Sequence, residues 1–165
     1  MVGLPVHEYT ICGFIKDFHS LFHMEIEYFT EPITFCVIRN YVSGDEVQAI
    51  LKELEELKPR LQSPENTGTA HDGTGKPKKS NKGLFIDNYM SSAILKINRK
   101  LFGEVAWEAS KHHWFFKFLK EDVEDSTLVS YYEDGDYYKK HYDTSLITAI
   151  HYVWNEPKSF EGGDL

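Results

Sequence analysis

Residues 126–165 constrain the fold of this chain most strongly, because they predict successive β-strands joined by turns. β-Branched and aromatic residues dominate three runs, at residues 127–132, 137–143 and 146–154. Between the first two runs, the Glu-Asp-Gly-Asp sequence of residues 133–136 is typical of a tight turn. We therefore expect an antiparallel hairpin followed by a third strand.

The second predicted strand carries a histidine and an aspartate two positions apart, His141 and Asp143. Alternate side chains of a strand project from the same face, so the imidazole and the carboxylate are expected to meet at one point. Two histidines and one carboxylate form the facial iron(II) site of non-haem oxygenases. The pair therefore offers two candidate metal ligands, although a His-x-Asp tripeptide alone also arises often by chance.

The residues around this pair follow a recognisable order. Tyr132 is followed by the turn glycine Gly135, then by the aromatic Tyr138, and then by His141 and Asp143. This order resembles the iron(II)/2-oxoglutarate-dependent dioxygenases of the prolyl 4-hydroxylase type.

The next two segments extend the resemblance. The third predicted strand carries a threonine, a tyrosine and a terminal asparagine, namely Thr148, Tyr152 and Asn155. Residues 160–165 then contain a Glu-Gly-Gly sequence similar to a turn of the same family. Three consecutive segments in the family's order make the match specific, although it covers closely only the last forty residues, 126–165.

The resemblance implies a fold, a reaction and roles for individual residues. The implied fold is α+β, a double-stranded β-helix of the jelly-roll or cupin-like kind supported by N-terminal helices. His141 and Asp143 would bind Fe(2+), and Tyr132, Thr148 and Tyr152 would contact the co-substrate 2-oxoglutarate. The implied reaction hydroxylates an unidentified substrate, either a protein side chain such as prolyl or a small molecule, and Asp143 favours hydroxylation over halogenation.

In the family, the third metal ligand is a histidine on a later strand, and a basic residue beyond it pairs with 2-oxoglutarate. Both are expected to follow residue 165. We therefore expect this chain to be the N-terminal part of a longer dioxygenase, inactive or weakly active alone, with an open sheet edge suited to self-association. His151 is a poor substitute ligand, because it alternates with Tyr152 and faces the other way. Two alternatives stay open: a non-catalytic binding or interaction module that retains half of the fold, and a two-ligand cupin-like metal protein.

Upstream of this region the sequence predicts a sheet and a helix. Residues 26–30 and 33–41 are rich in strand-forming residues. Ser43 and Glu46 form a capping box, in which each side chain can bond the other residue's backbone N–H. Apolar residues follow at helical spacing, and Pro59 is expected to end the helix.

The middle of the chain predicts a loop, a strand and two helices. Residues 62–82 lack large apolar side chains, and we expect a flexible loop or a substrate-contacting lid. Residues 83–87 predict a short strand. Helices are expected at 91–102 and 104–119, with Gly103 as the break between them.

Composition limits the class of protein. A chain of 165 residues with 41% hydrophobic content predicts a single domain, residues 1–165. The net charge of −8 is spread over both signs without a long basic run, so nucleic acid is not expected as the main partner. No run approaches the roughly 20 apolar residues of a membrane span. Two cysteines form no disulfide framework, and we expect a cytoplasmic protein that uses a small-molecule co-substrate.

Overall fold

The computed structural model describes residues 8–9, 24–68, 71–120 and 124–162. Within these residues the fold is mixed α+β, with three α-helices and two small antiparallel sheets. The strands are β1 Glu8–Tyr9, β2 Glu25–Phe29, β3 Phe35–Arg39, β4 Lys82–Phe85 and β5 Leu128–Tyr132. The helices are α1 Gly44–Leu57, α2 Ala93–Asn98 and α3 Glu104–His112.

Strands β2 and β3 form the smaller sheet, a two-stranded antiparallel hairpin. Its register places Ile26 opposite Ile38, and both side chains are partly buried against the core. On the outer side Arg39 donates to the Glu27 carboxylate at 3.2 Å. The two strands predicted for this region are confirmed by this pairing, although β3 is shorter than predicted.

Helix α1 begins at the predicted capping box. The backbone N–H of Glu46 donates to the Ser43 hydroxyl at 3.3 Å, and the backbone N–H of Ser43 donates to the Glu46 carboxylate at 2.9 Å. The helix buries one apolar face, made of Val47, Ile50, Leu54 and Leu57. It ends at Leu57 in a 3₁₀ turn that contains Pro59, as predicted from the proline.

Strand β5 is the centre of the larger sheet and lies between β1 and β4. Residues Lys82 to Phe85 pair antiparallel with Tyr131 to Leu128. Gly83 allows this close approach, because a Cβ there would meet Leu128 Cδ1 and the Val129 carbonyl oxygen, each at 3.1 Å. The predicted strands at 83–87 and 127–132 are thus confirmed.

The two predicted helices after β4 are present but shorter than expected. Helix α2 continues as a 3₁₀ turn, Arg99–Phe102, and the break falls at Gly103 as predicted. The second helix does not run to residue 119. His113 has extended backbone angles, and the chain resumes as a 3₁₀ helix, Trp114–Lys120.

A single apolar cluster joins the helices to the larger sheet. Its buried members among the described residues come from α1, α2, α3, β4 and β5, from the residues just before α1 and just after β4, and from the C-terminal segment: Tyr41, Ile50, Leu54, Leu57, Leu84, Ile86, Ile94, Leu95, Ile97, Val105, Val129, Tyr131 and Val153. Val153 shows that the segment following the His141–Asp143 pair is anchored in the core. No helix among the described residues has the length and apolar character that a bilayer crossing requires.

The second and third strands predicted for the C-terminal region are wrong. Residues 137–143 and 146–154 form no regular strand, although residues 138, 152 and 153 occupy single bridge positions. The turn at residues 133–136 does form, with the Asp136 N–H donating to the Glu133 carbonyl at 2.9 Å. After it the chain leaves β5 and pairs instead through Tyr138 with Lys79. The α+β class is confirmed, whereas the double-stranded β-helix stays a prediction.

The described part of the loop at residues 62–82 contains a short 3₁₀ turn, Pro64–Asn66, and isolated bridges. Gln62 bridges to Gly83, so the loop begins beside β4. Thr67, Lys79 and Asn81 are buried despite the polar composition of the loop. Its flexibility stays a prediction.

Candidate functional site

The segment that carries His141 is held by the loop before β4. The Ser80 N–H donates to the Tyr137 carbonyl at 3.0 Å, and the Lys139 N–H donates to the Lys78 carbonyl at 2.8 Å. The Ser80 hydroxyl adds two bonds, since it accepts from the Tyr137 N–H at 2.9 Å and donates to Asp136 at 2.8 Å. Ser80 therefore fixes the entry of the chain into the candidate site.

Replacement of Ser80 by alanine is expected to lower the free energy of unfolding by about 1 kcal/mol, because it removes one partner from two hydrogen bonds. Amide hydrogen exchange at Tyr137 is expected to accelerate as well. Ser126→Ala is the matched control, since that hydroxyl also donates to a carboxylate, Asp87, at 3.0 Å but lies away from this segment. Equal exchange at Tyr137 in both variants would contradict the assigned role.

The imidazole of His141 is oriented by two contacts. Its ring stacks on the ring of Tyr138 with centroids 3.7 Å apart and planes 8° apart. Nδ1 lies 2.9 Å from the Lys139 carbonyl oxygen. A carbonyl oxygen only accepts hydrogen bonds, so Nδ1 carries the proton in this contact.

The other ring nitrogen faces the aspartate. Nε2 of His141 lies 3.2 Å from Oδ1 of Asp143. In the tautomer that the Lys139 carbonyl selects, Nε2 has a lone pair, and an ionised carboxylate oxygen is also an acceptor. Two acceptor atoms at this distance suit a shared hydrogen or a metal ion between them.

The spacing of the two atoms suits two adjacent ligands of one metal ion. Nitrogen and oxygen donors at bond lengths of about 2.1 Å and a right angle lie roughly 3.0 Å apart. A metal-bound histidine usually donates its second N–H to a carbonyl or carboxylate, as His141 does to Lys139. The distance between the two atoms is thus compatible with two donors to one ion, although the strand that was expected to carry them is absent, and the assignment of His141 and Asp143 as iron(II) ligands stays a prediction.

Thr148 is the third predicted site residue in this cluster. Its hydroxyl donates to Oδ2 of Asp143 at 2.7 Å, and it lies 2.8 Å from the Ser145 hydroxyl. This contact holds one carboxylate oxygen and leaves Oδ1 directed at His141. The structure therefore brings His141, Asp143 and Thr148 together, with Thr148 orienting the Asp143 carboxylate, and the contact of Thr148 with 2-oxoglutarate stays a prediction.

The two tyrosines assigned to 2-oxoglutarate lie in different parts of the fold. Tyr132 is the last residue of β5, opposite Glu8 of β1, and is half-buried. Tyr152 is half-buried between the buried residues His151 and Val153. Their roles toward 2-oxoglutarate stay predictions.

His151 is buried and its neighbour Tyr152 is half-buried, in agreement with the predicted alternation of the two side chains. It is buried with its ring edge-on to Tyr41, the centroids being 5.1 Å apart. Burial, together with the nearby Lys100 charge, lowers the pKa of His151 to about 4. His151 is therefore an uncharged core residue at neutral pH.

Lys79 is a buried residue of this region that the sequence did not single out. Its side chain is 3% exposed, and its amine lies 3.5 Å from the Thr67 carbonyl and 5.6 Å from the centroid of the Tyr138 ring. Burial lowers the pKa of the Lys79 amine. One lysine of a lysine-rich loop gives no pattern by which its burial could be recognised. Lys79 supports the ring on which His141 stacks.

The described residues complete no larger metal site. No group of three or more histidine, cysteine, aspartate or glutamate side chains within residues 24–68, 71–120 and 124–162 is placed to hold a metal ion. The pair is also open to solvent, with side-chain exposures of 23% for His141 and 41% for Asp143. Comparisons with protein-family models, with curated proteins and with solved structures found no match to this chain.

Proposed function

We propose that His141 and Asp143 are iron(II) ligands of a 2-oxoglutarate-dependent dioxygenase that hydroxylates a protein side chain or a small molecule. One observation carries the proposal. Nε2 of His141 and Oδ1 of Asp143 lie 3.2 Å apart while Nδ1 is engaged by the Lys139 carbonyl. That arrangement directs two acceptor atoms at one cation.

The surrounding residues would position these two donors. The Lys139 carbonyl holds the proton on Nδ1, and the Tyr138 ring restrains the plane of the imidazole. Thr148 holds Oδ2 of Asp143. Bound iron(II) would supply oxygen activation coupled to the decarboxylation of 2-oxoglutarate, as in the family that the sequence resembles.

The fold and the co-substrate contacts belong to the same proposal. We infer that the β1–β5–β4 sheet is part of a double-stranded β-helix, with support from its antiparallel order and from β5 directly preceding the pair. Tyr132, at the end of β5, and Tyr152 would then hydrogen-bond 2-oxoglutarate. A further imidazole is needed for the facial set, so metal affinity with two protein donors is expected to be modest.

Metal titration tests this proposal. Cobalt(II), a spectroscopic substitute for iron(II), is expected to bind the 165-residue chain saturably and to shift the ring ¹⁵N signals of His141. His141→Ala and Asp143→Ala are each expected to weaken binding by about tenfold or more, since each removes a ligand. His71→Ala, which removes an exposed histidine, is the matched control and is expected to bind as the wild type does.

Binding that is unchanged in both ligand variants, or absent in the wild type, would reject the iron site. Iron-dependent release of succinate from 2-oxoglutarate, measured in parallel, tests the reaction itself. Succinate release that persists unchanged in His141→Ala would reject the assigned chemistry while leaving metal binding to be judged by the titration.

A non-catalytic interaction module is the second candidate. The openness of the segment favours it, because Tyr142 is 92% exposed and Leu146 is 66% exposed beside the pair. In this case a shared hydrogen, rather than a metal ion, would join His141 and Asp143. Ring ¹⁵N signals of His141 that do not respond to cobalt(II) would favour this candidate over the iron site.

A further inference from the structure

Two lysines face each other across the pairing that holds the candidate site. Lys79 is bridged to Tyr138, and the Lys139 N–H donates to the Lys78 carbonyl at 2.8 Å. This register sets the side chains of Lys78 and Lys139 opposite one another. Like charges directly opposite across an antiparallel pair destabilise it, so an unneutralised pair is an unusual feature of a fold.

Two more lysines extend this feature into a ribbon. The Lys78 amine reaches the Lys140 carbonyl at 3.3 Å, which brings the backbone of Lys140 alongside. Lys76 stands two residues before Lys78. We call Lys76, Lys78, Lys139 and Lys140 the lysine ribbon. Within the described residues none of the four amines forms a salt bridge.

The neighbouring carboxylates are occupied by other partners. Asp72 accepts from the N–H groups of Thr74 and Lys76 and from the Thr74 hydroxyl, and hydrogen bonds with Thr74 hold its pKa below the ordinary value. Asp136 accepts from Ser80 and from the Glu133 N–H. The Lys139 charge also contributes to the lowered pKa of Asp72, but at longer range than an ion pair. The ribbon therefore presents positive charge on a chain whose net charge is −8.

We propose that the lysine ribbon binds an acidic peptide segment of a protein partner. The ring of Tyr137 adjoins the ribbon, with its centroid 5.2 Å from the Lys139 amine, and it is 44% exposed, which suits a peptide that carries apolar as well as acidic residues. The net charge of the chain repels a long polyanion such as nucleic acid, whereas a short peptide meets mainly the local charge, because screening limits the range to about 8 Å. The proposal concerns binding by the lysine side chains and does not depend on the iron site, although the backbone carbonyl of Lys139 contacts His141.

Charge reversal at Lys139 gives a sharp test. Lys139→Glu places a carboxylate opposite Lys78, so the fold is expected to be as stable as the wild type or more so, while anion binding falls. The probe is a short fluorescein-labelled peptide of alternating glutamate and leucine residues, followed by fluorescence anisotropy. We expect Lys139→Glu to weaken binding by about tenfold, and added salt to weaken binding by the wild type. Lys96→Glu on α2, an exposed lysine outside the ribbon, is the control and is expected to bind normally.

A peptide with glutamine in place of glutamate is expected to bind much more weakly. Lys76→Gln/Lys78→Gln provides a second variant that removes charge without reversing it, and it is expected to weaken binding in the same direction. Equal affinity for the two peptides, wild-type binding by Lys139→Glu, no binding of the acidic peptide, or tighter binding of a single-stranded oligonucleotide would each overturn the proposal.

Discussion

Acidification from pH 6.5 to about pH 4 is expected to lower the free energy of unfolding of this chain by about 3 kcal/mol through one residue, His151. The pKa of His151 falls from 6.5 to about 4 in the folded chain, first because of burial and then because of the Lys100 charge. In that interval the unfolded chain binds a proton that the folded chain excludes. Stability is therefore fully present above pH 6.5 and is lost progressively as the pH falls toward 4.

The described residues around His151 do not stabilise a second proton on its imidazole ring. Nδ1 has no hydrogen-bond partner in the part of the chain that the structure describes. Tyr41 contributes the edge-on ring, and the Lys100 amine, 3.3 Å from the Tyr41 carbonyl, is paired with Glu46 at 2.8 Å. Burial raises the pKa of Glu46, but hydrogen bonds from Lys100 and Ser43 outweigh it and lower the pKa overall. Protonation of Glu46 therefore lowers the free energy of unfolding only when the pH falls below the ordinary pKa range of a glutamate. The interval from pH 6.5 to 5 consequently reports mainly on His151.

Urea unfolding at successive pH values measures this effect. His151→Phe keeps a ring against Tyr41 and removes the titrating group, so its stability is expected to vary much less between pH 7 and pH 5. His71→Gln, at an exposed site, is expected to keep the wild-type dependence. A wild-type pH dependence that survives in His151→Phe would show that another group is responsible.

Local signals predicted the parts of the fold that are stabilised locally. The capping box of Ser43 and Glu46 marked the start of α1 because both of its hydrogen bonds lie within four residues. Gly103 marked the boundary between the helices. His151 and Val153 are buried and Tyr152 is only half-buried, so the predicted alternation holds over these three residues although no regular strand forms there.

The strand predictions that were wrong concern segments whose hydrogen-bond partners are distant in sequence. Strand-forming residues at 137–143 indicate extended chain, but a strand also needs a neighbour, and here residues 137–139 bond to residues 78–80 rather than to β5. Nothing in either segment alone specifies that pairing. The convergence of His141 and Asp143 was predicted from strand geometry and occurs for a different reason. The Lys139 carbonyl, the Tyr138 ring and the Thr148 hydroxyl orient the two side chains.

Loss of side-chain volume at Ile94 is expected to lower the free energy of unfolding by about as much as acidification does. Ile94 is fully buried in the apolar cluster, and its N–H donates to the Glu53 carboxylate at 3.0 Å, which ties α2 to α1. Ile94→Ala leaves that backbone bond in place and opens a cavity between packed elements. The free energy of unfolding is therefore expected to fall by about 2–5 kcal/mol, and Ile94→Val by about 1 kcal/mol.

Ile33→Ala is the control that separates burial from side-chain chemistry, because Ile33 is 68% exposed. Ile33→Ala also removes three carbon atoms, but these atoms already contact water in the folded chain. The free energy of unfolding is therefore expected to change by no more than about 0.5 kcal/mol. Denaturant unfolding of all three variants at pH 7 keeps His151 uncharged and isolates the packing contribution. If Ile94→Ala lost no more stability than Ile33→Ala, the cluster that anchors Val153 could not be the core that supports the His141–Asp143 segment. The position of the candidate site would then need a different physical explanation.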